Sequence, residues 1–372
     1  MKSKQQSKKI IISGGGTGGH IFPAIAIARA LLKIDSKINI LFVGANGRME
    51  MEKVPAAGFE IKGLPVSGFN RKLTINNIKV LINLLKSLQR AKNIISRFKP
   101  DAVVGTGGYV SGPVLYAANK KNIPTLIQEQ NSYPGITNKL LAKGANKICV
   151  AYKGLEKYFP NEKILLTGNP IRGDLEMTQE KRNEGFVEFG LDPNKKTILV
   201  LGGSLGARTI NQAVEANIPG LKSSNIQVLW QCGKLYHESA KESMSNNDQP
   251  ENIVLRDFIF RMDLAYAVSD LVISRAGAGT ISELCVTARP SILVPSPNVA
   301  EDHQTKNAMA LVENDAALLI EDVEAEIKLI PVALELIEND NKLKIYSGNI
   351  KKLAIHNSAE LIANEVIKLC AI

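Results

Sequence analysis

A histidine at the end of a glycine-rich segment is the first place where this 372-residue chain could do chemistry. The segment Gly14-Gly15-Gly16-Thr17-Gly18-Gly19 precedes His20, which is one of four histidines. Glycines let backbone N–H groups approach a phosphate at a helix N-terminus, where the helix dipole favours an anion. Because imidazole titrates near neutral pH, His20 is a candidate general base. The alternative is that His20 only caps or packs against the helix start.

The spacing of Gly14, Gly16 and Gly19 also matches GxGxxG, the pattern of dinucleotide-binding loops. That motif requires an acidic residue at the end of the second strand, and the corresponding run here ends Val43-Gly44-Ala45. A nicotinamide site is therefore disfavoured. A tight turn without a ligand is also disfavoured, because it does not need five glycines. We expect the segment to contact a phosphate.

Three more glycine-rich segments, 105–113, 202–208 and 275–283, come directly after predicted strands. Ser204 in the second of them could add a hydroxyl donor to the backbone donors. In the third, Glu283 could accept hydrogen bonds from both hydroxyls of a ribose. The alternative for this third segment is a capping box, with Thr280 as the helix N-cap and Glu283 returning to its N–H.

The elements that must hold these segments are short apolar runs that end in glycine and are followed by helix-like stretches. This alternation predicts βαβ units in a parallel sheet. Because the pattern weakens between 169 and 196 and then restarts, we predict two doubly wound α/β domains, 1–170 and 171–354. Ligands of such sheets bind beyond the carboxyl ends of the strands, so facing domains would hold the site in a cleft.

Composition excludes several classes of protein. No apolar run approaches the roughly 18 to 20 residues that cross a bilayer, and the N-terminus does not resemble a secretory signal. The four cysteines are far apart and form no CxxC pair, which argues against a zinc site or a disulfide framework. We expect a cytosolic setting.

The net charge of +10 is concentrated in one stretch. Residues 61–100 contain nine basic residues and no acidic one, with apolar residues at roughly helical spacing. A basic amphipathic segment is typical of binding to an anionic membrane surface; the alternative is an ordinary surface helix packed on the sheet. A nucleic-acid partner is disfavoured because the stretch holds only Phe69 and Phe98 for stacking. The residues expected at the membrane are Lys72, Ile75, Ile78, Lys79, Ile82, Lys86 and Arg90.

Seven motifs occur in the order GGGTGGHIFPA, GTGGYVSGP, QEQNSYPGITNKLLA, TGNPIR, LGGSLGAR, RAGAGTISE and EDHQTKNA. In this order they resemble the MurG family, GT-B-fold N-acetylglucosaminyltransferases of bacterial peptidoglycan synthesis. The resemblance implies two Rossmann-like domains facing a cleft. It implies transfer of N-acetylglucosamine from UDP-N-acetylglucosamine to the muramoyl 4-hydroxyl of lipid I, with inversion, to form lipid II. It further implies no cofactor or metal ion, a peripheral location on the cytoplasmic face of the inner membrane, and cell-wall and division proteins as partners.

The resemblance also assigns roles to residues. The first domain would bind acceptor and membrane, a C-terminal helix at about 355–372 would pack back on it, and the second domain would bind the donor. His20 and Tyr109 match acceptor-side or catalytic positions, and Glu129 is an alternative base. Donor contacts are implied for Thr17, Gly18, Gly19, Asn131, Arg172, Ser204, Ile259, Ala278, Gly279, Thr280, Ile281, Ser282, Glu283 and Gln304.

Three residues depart from the pattern of the family. Leu205 stands where many members carry Gln, Gly279 where many carry Leu, and Gln128 where a His is frequent. The first two bear on donor contacts.

A UDP-N-acetylglucosamine 2-epimerase of the same fold is the main rival, although such an enzyme has no use for the basic apolar stretch. The second rival is a basic nucleic-acid-binding protein without catalysis.

Overall fold

The computed structural model describes residues 7–66, 76–173, 175–203, 206–299 and 302–371, and for 76–79 the backbone only. The chain forms two compact units, 1–172 with 356–372 and 173–355. Each unit contains one parallel sheet with helices between successive strands. The two doubly wound α/β domains that the sequence predicts are confirmed.

The first unit has a seven-stranded sheet in the order β3-β2-β1-β4-β5-β6-β7. Its strands are β1 (Lys9–Gly14), β2 (Asn39–Ala45), β3 (Glu60–Leu64), β4 (Ala102–Gly107), β5 (Thr125–Glu129), β6 (Lys147–Val150) and β7 (Ile164–Leu166). Its helices are α1 (Gly18–Ile34), α2 (Glu50–Ala56), α3 (Asn76–Phe98), α4 (Ser111–Asn119) and α5 (Ile136–Leu141). Strand β1 lies in the interior of the sheet, between β2 and β4. Its residues Ile10, Ile11 and Ile12 are all fully buried, as expected for a strand that is covered on both faces.

The second unit has a six-stranded sheet in the order β10-β9-β8-β11-β12-β13. Its strands are β8 (Thr197–Leu201), β9 (Gln227–Gln231), β10 (Ile253–Arg256), β11 (Leu271–Ser274), β12 (Ser291–Leu293) and β13 (Leu318–Leu319). Its helices are α6 (Gln179–Phe189), α7 (Arg208–Ala216), α8 (Ile218–Lys222), α9 (His237–Ser245), α10 (Met262–Val268), α11 (Ala278–Thr287), α12 (His303–Val312), α13 (Ala325–Glu338) and α14 (Asp340–Lys352).

The last helix, α15 (Ser358–Leu369), belongs to the first unit and packs against α1. Its buried residues Ile362, Ala363 and Val366 share one hydrophobic core with Ile27 and Leu31 of α1.

Strand order determines where a ligand can bind in each unit. In the first sheet the order reverses between β1 and β4, and in the second between β8 and β11. Doubly wound sheets bind ligands at this switch point, beyond the carboxyl ends of the strands. The four glycine-rich segments follow these four strands, so each switch point is flanked by two of them.

Candidate active site

The two glycine-rich segments of the first unit touch each other at its switch point. Gly15 N–H donates to the Gly107 carbonyl at 3.3 Å, and the Thr106 hydroxyl donates to the His20 carbonyl at 2.8 Å. Gly108 has a φ of +80°, and a Cβ there would lie 2.3 Å from the Gly15 carbonyl oxygen. Only glycine allows both that backbone conformation and that close approach.

A buried carboxylate, Glu50, holds the first glycine segment in place. It is the first residue of α2 and is fully buried. Its Oε2 accepts from Gly16 N–H at 3.1 Å, and its Oε1 accepts from Ala45 N–H at 2.9 Å. No local motif marks Glu50 in the sequence, because an acidic residue in a first helical turn is common.

His20 lies half-buried in the first turn of α1. Its ring Nδ1 is 3.0 Å from Oε1 of Gln130, a buried residue that follows β5. Thr17 precedes α1 as an exposed N-cap with extended backbone, and Gly18 and Gly19 open the helix. The segment and the imidazole thus lie side by side, whereas contact with a phosphate stays a prediction.

Glu129 ends β5 and is 1% exposed. Its Oε1 accepts from the backbone and side-chain N–H groups of Asn131, at 3.0 and 3.3 Å. Its Oε2 accepts from Gly135 N–H at 3.1 Å and from Asn138 Nδ2 at 2.8 Å. The carboxylate thus accepts four hydrogen bonds. These bonds stabilise the segment that joins β5 to α5.

Two other predicted site residues lie at the surface of the first unit. Tyr109 follows β4 and is 56% exposed. Arg172, the last residue of the unit before the crossing to the second, is also exposed.

In the second unit, the loop after β8 is linked to the segment after β10 by one side chain. Gln231 Nε2 donates to the Gly203 carbonyl at 2.9 Å, and its Oε1 accepts from Ile259 N–H at 3.4 Å. Gln231 is buried at the end of β9, and the sequence analysis did not identify it. Ser204 and Leu205, expected in this loop, lie outside the described residues.

The capping-box interpretation of Thr280 and Glu283 is wrong. Helix α11 begins at Ala278 with Gly277 as its N-cap, so Thr280 lies inside the first turn. Glu283 instead accepts from the hydroxyl of buried Tyr266 at 2.9 Å. No acidic residue stands in the first turn of α11, and the N-terminus of a helix favours an anion.

Arg275, which precedes α11, links this segment to two later parts of the second unit. Arg275 donates to the Val294 carbonyl at 3.1 Å and pairs with Asp322. Within the segment, Ala278 and Ile281 are buried, Gly279 and Thr280 are half-buried, and the Ser282 hydroxyl donates to the Ala278 carbonyl at 3.0 Å. Gln304, near the start of α12, accepts from Ser296 N–H at 2.9 Å through its Oε1.

The basic stretch divides into a buried and an exposed face along α3. Ile95 is 1% exposed and belongs to the core, whereas Ile82 and Leu85 are 47% and 59% exposed beside exposed Lys86 and Arg90. Lys72 and Ile75 lie outside the described residues, and Ile78 and Lys79 are on α3 with side chains that are not described. None of the helices within the described residues is long and apolar enough to cross a membrane.

A cavity of about 270 Å³ lies between β3 and α3. Its lining residues are Lys62, Arg90, Asn93, Ile94 and Arg97, so three of the five are cationic and none is acidic.

The four cysteines are free thiols and form no disulfide bond. Burial raises the pKa of the Cys149 and Cys285 thiols to about 12, so both stay protonated at neutral pH. Among the residues that the structure describes, no three His, Cys, Asp or Glu side chains lie close enough together to hold a metal ion.

Comparison with known proteins identifies the family. Residues 10–150 match the model of the glycosyltransferase family 28 N-terminal domain, and residues 197–364 match that of its C-terminal domain. The chain belongs to glycosyltransferase family 28. It is 56% identical over 362 residues to a protein of Parabacteroides distasonis, covering 97% of this chain and 98% of that one. That relative is named UDP-N-acetylglucosamine--N-acetylmuramyl-(pentapeptide) pyrophosphoryl-undecaprenol N-acetylglucosamine transferase.

Solved structures of this family and of its rival share the fold. The crystal structure of Acinetobacter baumannii MurG is 28% identical, with a TM-score of 0.75, and the match covers 97% of this chain and 99% of that one. The resemblance to the MurG family and the two-domain Rossmann-like GT-B fold are confirmed. A UDP-GlcNAc 2-epimerase of Neisseria meningitidis is only 15% identical at a TM-score of 0.66, over 97% of this chain and 100% of that one, and shares the fold alone.

Proposed function

We propose that the chain transfers N-acetylglucosamine from UDP-N-acetylglucosamine to the muramoyl 4-hydroxyl of lipid I, which forms lipid II. The observation that carries this proposal is 56% identity, over nearly the whole chain, to a relative whose name specifies both this sugar and this lipid-linked acceptor. The second unit binds the donor, and the first unit binds the acceptor and supplies the base.

In the proposed mechanism His20 Nε2 takes the proton of the acceptor hydroxyl. The hydroxyl oxygen attacks the anomeric carbon from the face opposite the nucleotide, the bond from that carbon to the phosphate oxygen breaks, and UDP departs with the bonding pair. The configuration at the anomeric carbon is therefore inverted. A positioned base of this kind contributes about 10²- to 10⁴-fold to the rate.

We favour His20 over Glu129 as this base because the Glu129 carboxylate is already occupied by hydrogen bonds. Both oxygens of Glu129 accept from N–H groups of its own loop, and the side chain is 1% exposed. A carboxylate held in this way would have to release loop donors before it could accept a substrate proton. We assign it to holding the loop that carries Asn131.

Charge on the departing UDP is balanced by backbone N–H groups at the start of α11. Preorganised donors of this kind act where charge develops, without reorganising during the reaction. We therefore expect no metal ion or cofactor to be required. Glu283, oriented by Tyr266, would accept from the ribose hydroxyls, and the backbone at Ile259 would meet the uracil. The remaining proposed donor contacts are Thr17, Gly18, Gly19, Asn131, Arg172, Ser204, Ala278 to Ser282 and Gln304.

The exposed face of α3 supports docking on an anionic membrane surface. Ile82 and Leu85 would insert shallowly, while Lys86 and Arg90 would meet lipid phosphates. The cavity beside them adds Arg97 to the same attraction, while Lys62 at its edge pairs with Glu60 at 3.6 Å. We place the enzyme as a peripheral protein on the cytoplasmic face of the cell membrane, with cell-wall and division proteins as candidate partners.

The test is release of UDP from UDP-N-acetylglucosamine with and without a lipid I analogue. We expect release only when the acceptor is present, with both substrates consumed in equal amounts. Formation of an epimerised UDP-sugar without acceptor would contradict the proposal and favour the epimerase. Absence of any reaction with both substrates present would contradict it as well.

A further inference from the structure

Three buried amide side chains form a line of hydrogen bonds that ends on His20. Gln128, Gln130 and Asn169 are 0%, 2% and 3% exposed. Gln128 and Gln130 flank Glu129 at the end of β5, and Asn169 lies beyond β7. Because buried amides are costly unless they are hydrogen-bonded, their partners determine how each amide is oriented.

The orientation of the Gln130 amide follows from its carbonyl neighbours. Its Nε2 donates to the Thr106 carbonyl at 2.7 Å and to the Gln128 carbonyl at 3.2 Å. Rotating the amide by 180° would place its oxygen against these two acceptors. Its Oε1 therefore faces His20 Nδ1, at 3.0 Å.

This orientation determines which nitrogen of His20 carries the proton. An amide oxygen only accepts hydrogen bonds, so the Nδ1 that meets it must be an N–H. A neutral imidazole has one N–H, and its other nitrogen carries the lone pair. In neutral His20 that nitrogen is Nε2.

The other two amides prevent Gln130 from turning. Gln130 Nε2 also lies against Gln128 Oε1, and Gln128 Nε2 donates to Asn169 Oδ1 at 3.1 Å. Asn169 Nδ2 donates in turn to the Gln130 carbonyl at 3.0 Å. The donors thus run in one direction from His20 to Asn169, and reversing one amide would leave like groups facing each other.

We propose that Gln130 is a positioning residue that holds neutral His20 as its Nδ1–H tautomer, so that Nε2 is the basic nitrogen. Gln128 and Asn169 keep the Gln130 amide in the required orientation. An uncharged amide fixes the tautomer without adding a negative charge that would stabilise the imidazolium. The tautomer rests only on the hydrogen bonds of the first unit, whereas its catalytic consequence rests on the proposed function, in which His20 is the base.

Nitrogen NMR of the intact wild-type protein tests the tautomer directly. The chain has four histidines, so ¹⁵N-histidine labelling gives four imidazole spin systems, and the set lost in His20→Ala assigns His20. Above the pH at which the ring is neutral, we expect Nδ1 to show the shift of a protonated nitrogen and Nε2 that of an unprotonated one. The reverse pattern, or averaged shifts on both nitrogens, would overturn the proposal.

Gln130→Met tests the role of the amide, because it removes the acceptor and keeps an unbranched side chain. We expect both imidazole shifts to move toward averaged values. We also expect kcat to fall about 10- to 100-fold, with KM for UDP-N-acetylglucosamine changed less than about twofold. In serine proteases, loss of the group that fixes the histidine tautomer lowers kcat by about 10⁴-fold.

Gln227→Met is the matched control. Gln227 is 3% exposed in the second unit, where its Nε2 donates to the Asp192 carbonyl at 2.8 Å and to Thr197 Oγ1 at 2.9 Å. This variant loses a buried amide too, but we expect it to leave the His20 shifts and kcat unchanged. If Gln130→Met leaves the His20 shifts of a folded protein unchanged, the proposal is wrong.

The two hypotheses fail in different ways. If sugar transfer is absent in the wild type but His20 shows the expected tautomer, the proposed function fails and the role of Gln130 in setting the tautomer survives. If transfer occurs and the tautomer is reversed, the role of Gln130 fails and the proposed function survives.

Discussion

Two carboxylates among the predicted site residues, Glu129 and Glu283, have different surroundings. Glu129 is buried and accepts four hydrogen bonds from its own loop, so its role is to hold that loop. Glu283 is half-buried, and its Oε2 accepts from Tyr266. A partly exposed carboxylate oriented by a buried hydroxyl is suited to accept hydrogen bonds from a diol such as ribose.

Removing the hydroxyl in Tyr266→Phe should weaken donor binding. The hydrogen bond to Glu283 is charge-assisted, and bonds of that kind contribute about 1.5–3 kcal/mol. Because only the orientation of the carboxylate is lost, we expect KM for UDP-N-acetylglucosamine to rise about 5- to 10-fold, with kcat changed less than about threefold. Steady-state kinetics with saturating acceptor measures both.

Tyr236→Phe is the control for this change. It also removes a tyrosine hydroxyl that donates to a carboxylate of the second unit, that of Glu215, but this pair joins α9 to α7. We expect Tyr236→Phe to keep the wild-type KM for UDP-N-acetylglucosamine. Equal rises in both variants would mean that Tyr266 acts only through general stability.

The choice of base leads to a second prediction at this scale. A base must be unprotonated to act, so the rate of wild-type transfer should fall as the pH is lowered far enough to protonate an imidazole. His20→Ala should lower kcat about 10²- to 10⁴-fold and lose this acidic limb. Glu129→Gln should keep the acidic limb of the pH–rate profile. It should lower the stability of the protein, because the new NH₂ group would face N–H donors of the loop. Near-normal turnover of His20→Ala would remove this residue from the role.

Single residues were predictable only where a local pattern marked them. His20 and Glu283 stand in glycine-rich segments, and those segments indicated their positions. Gln130 and Tyr266 act on them from places far apart in sequence, so no spacing indicates the contact. The capping box at Thr280 failed because Gly277, three residues earlier, already serves as the N-cap.

At the scale of elements, α3 has apolar residues both in the core and at the surface. Ala91 and Ile95 are 1% exposed and anchor it in the core of the first unit, while Ile82 and Leu85 project from the opposite side. A helix needed only for packing would gain nothing from exposed apolar residues beside cations. This distribution supports a surface that meets lipid.

Changing Leu85→Ser, Lys86→Gln and Arg90→Gln together should release the protein from anionic vesicles. Each basic residue near such a surface contributes about 1 kcal/mol, and the leucine adds its apolar transfer energy. We expect vesicle affinity to fall about 30-fold or more, and wild-type binding to weaken as salt is raised. Vesicle sedimentation measures the affinity, and turnover of a water-soluble acceptor analogue should be unchanged.

A matched triple change in the second unit is the control. Leu235→Ser, Lys222→Gln and Lys241→Gln remove an exposed leucine and two lysines outside α3. Affinity for vesicles should fall by less than about threefold. If the α3 variant binds vesicles as tightly as this control does, membrane docking through α3 is wrong.

Several strands were predictable because glycine follows their apolar runs. Three apolar runs that precede a glycine, at 9–13, 102–104 and 197–201, correspond to β1, β4 and β8. The order of the strands was not encoded in any such run. It follows from long-range pairing, such as that of Ile11 with both Leu41 and Val103, which sequence spacing does not reveal.

For the whole molecule, the chain leaves the first unit after 172 and returns to it at 356. The returning helix α15 therefore completes the core of a unit whose other residues lie more than 180 positions earlier. The buried face of α15 lies against α1, the helix that carries His20 at its start. Stability of the helix that carries His20 thus depends on α15.

Ile362→Asp should destabilise the first unit. Ile362 is fully buried in the core shared with α1, and an unpaired buried charge costs at least about 3 kcal/mol. For a unit of this size the thermal midpoint should fall by about 10 °C in calorimetry. Leu361→Asp, at a neighbouring position that is 44% exposed, should change it by less than about 2 °C. Equal effects at both positions would contradict this packing of α15.

Transfer of N-acetylglucosamine to a lipid-linked muramoyl sugar is tested most directly by the structure of the product. Wild-type protein is incubated with UDP-N-acetylglucosamine and a lipid I analogue in the presence of EDTA, and the glycosylated acceptor is analysed by mass spectrometry and NMR. We expect one added N-acetylhexosamine on the muramoyl 4-hydroxyl, in the anomeric configuration opposite to that of the donor. A product with retained configuration, a different attachment site or no glycosylated acceptor would contradict it.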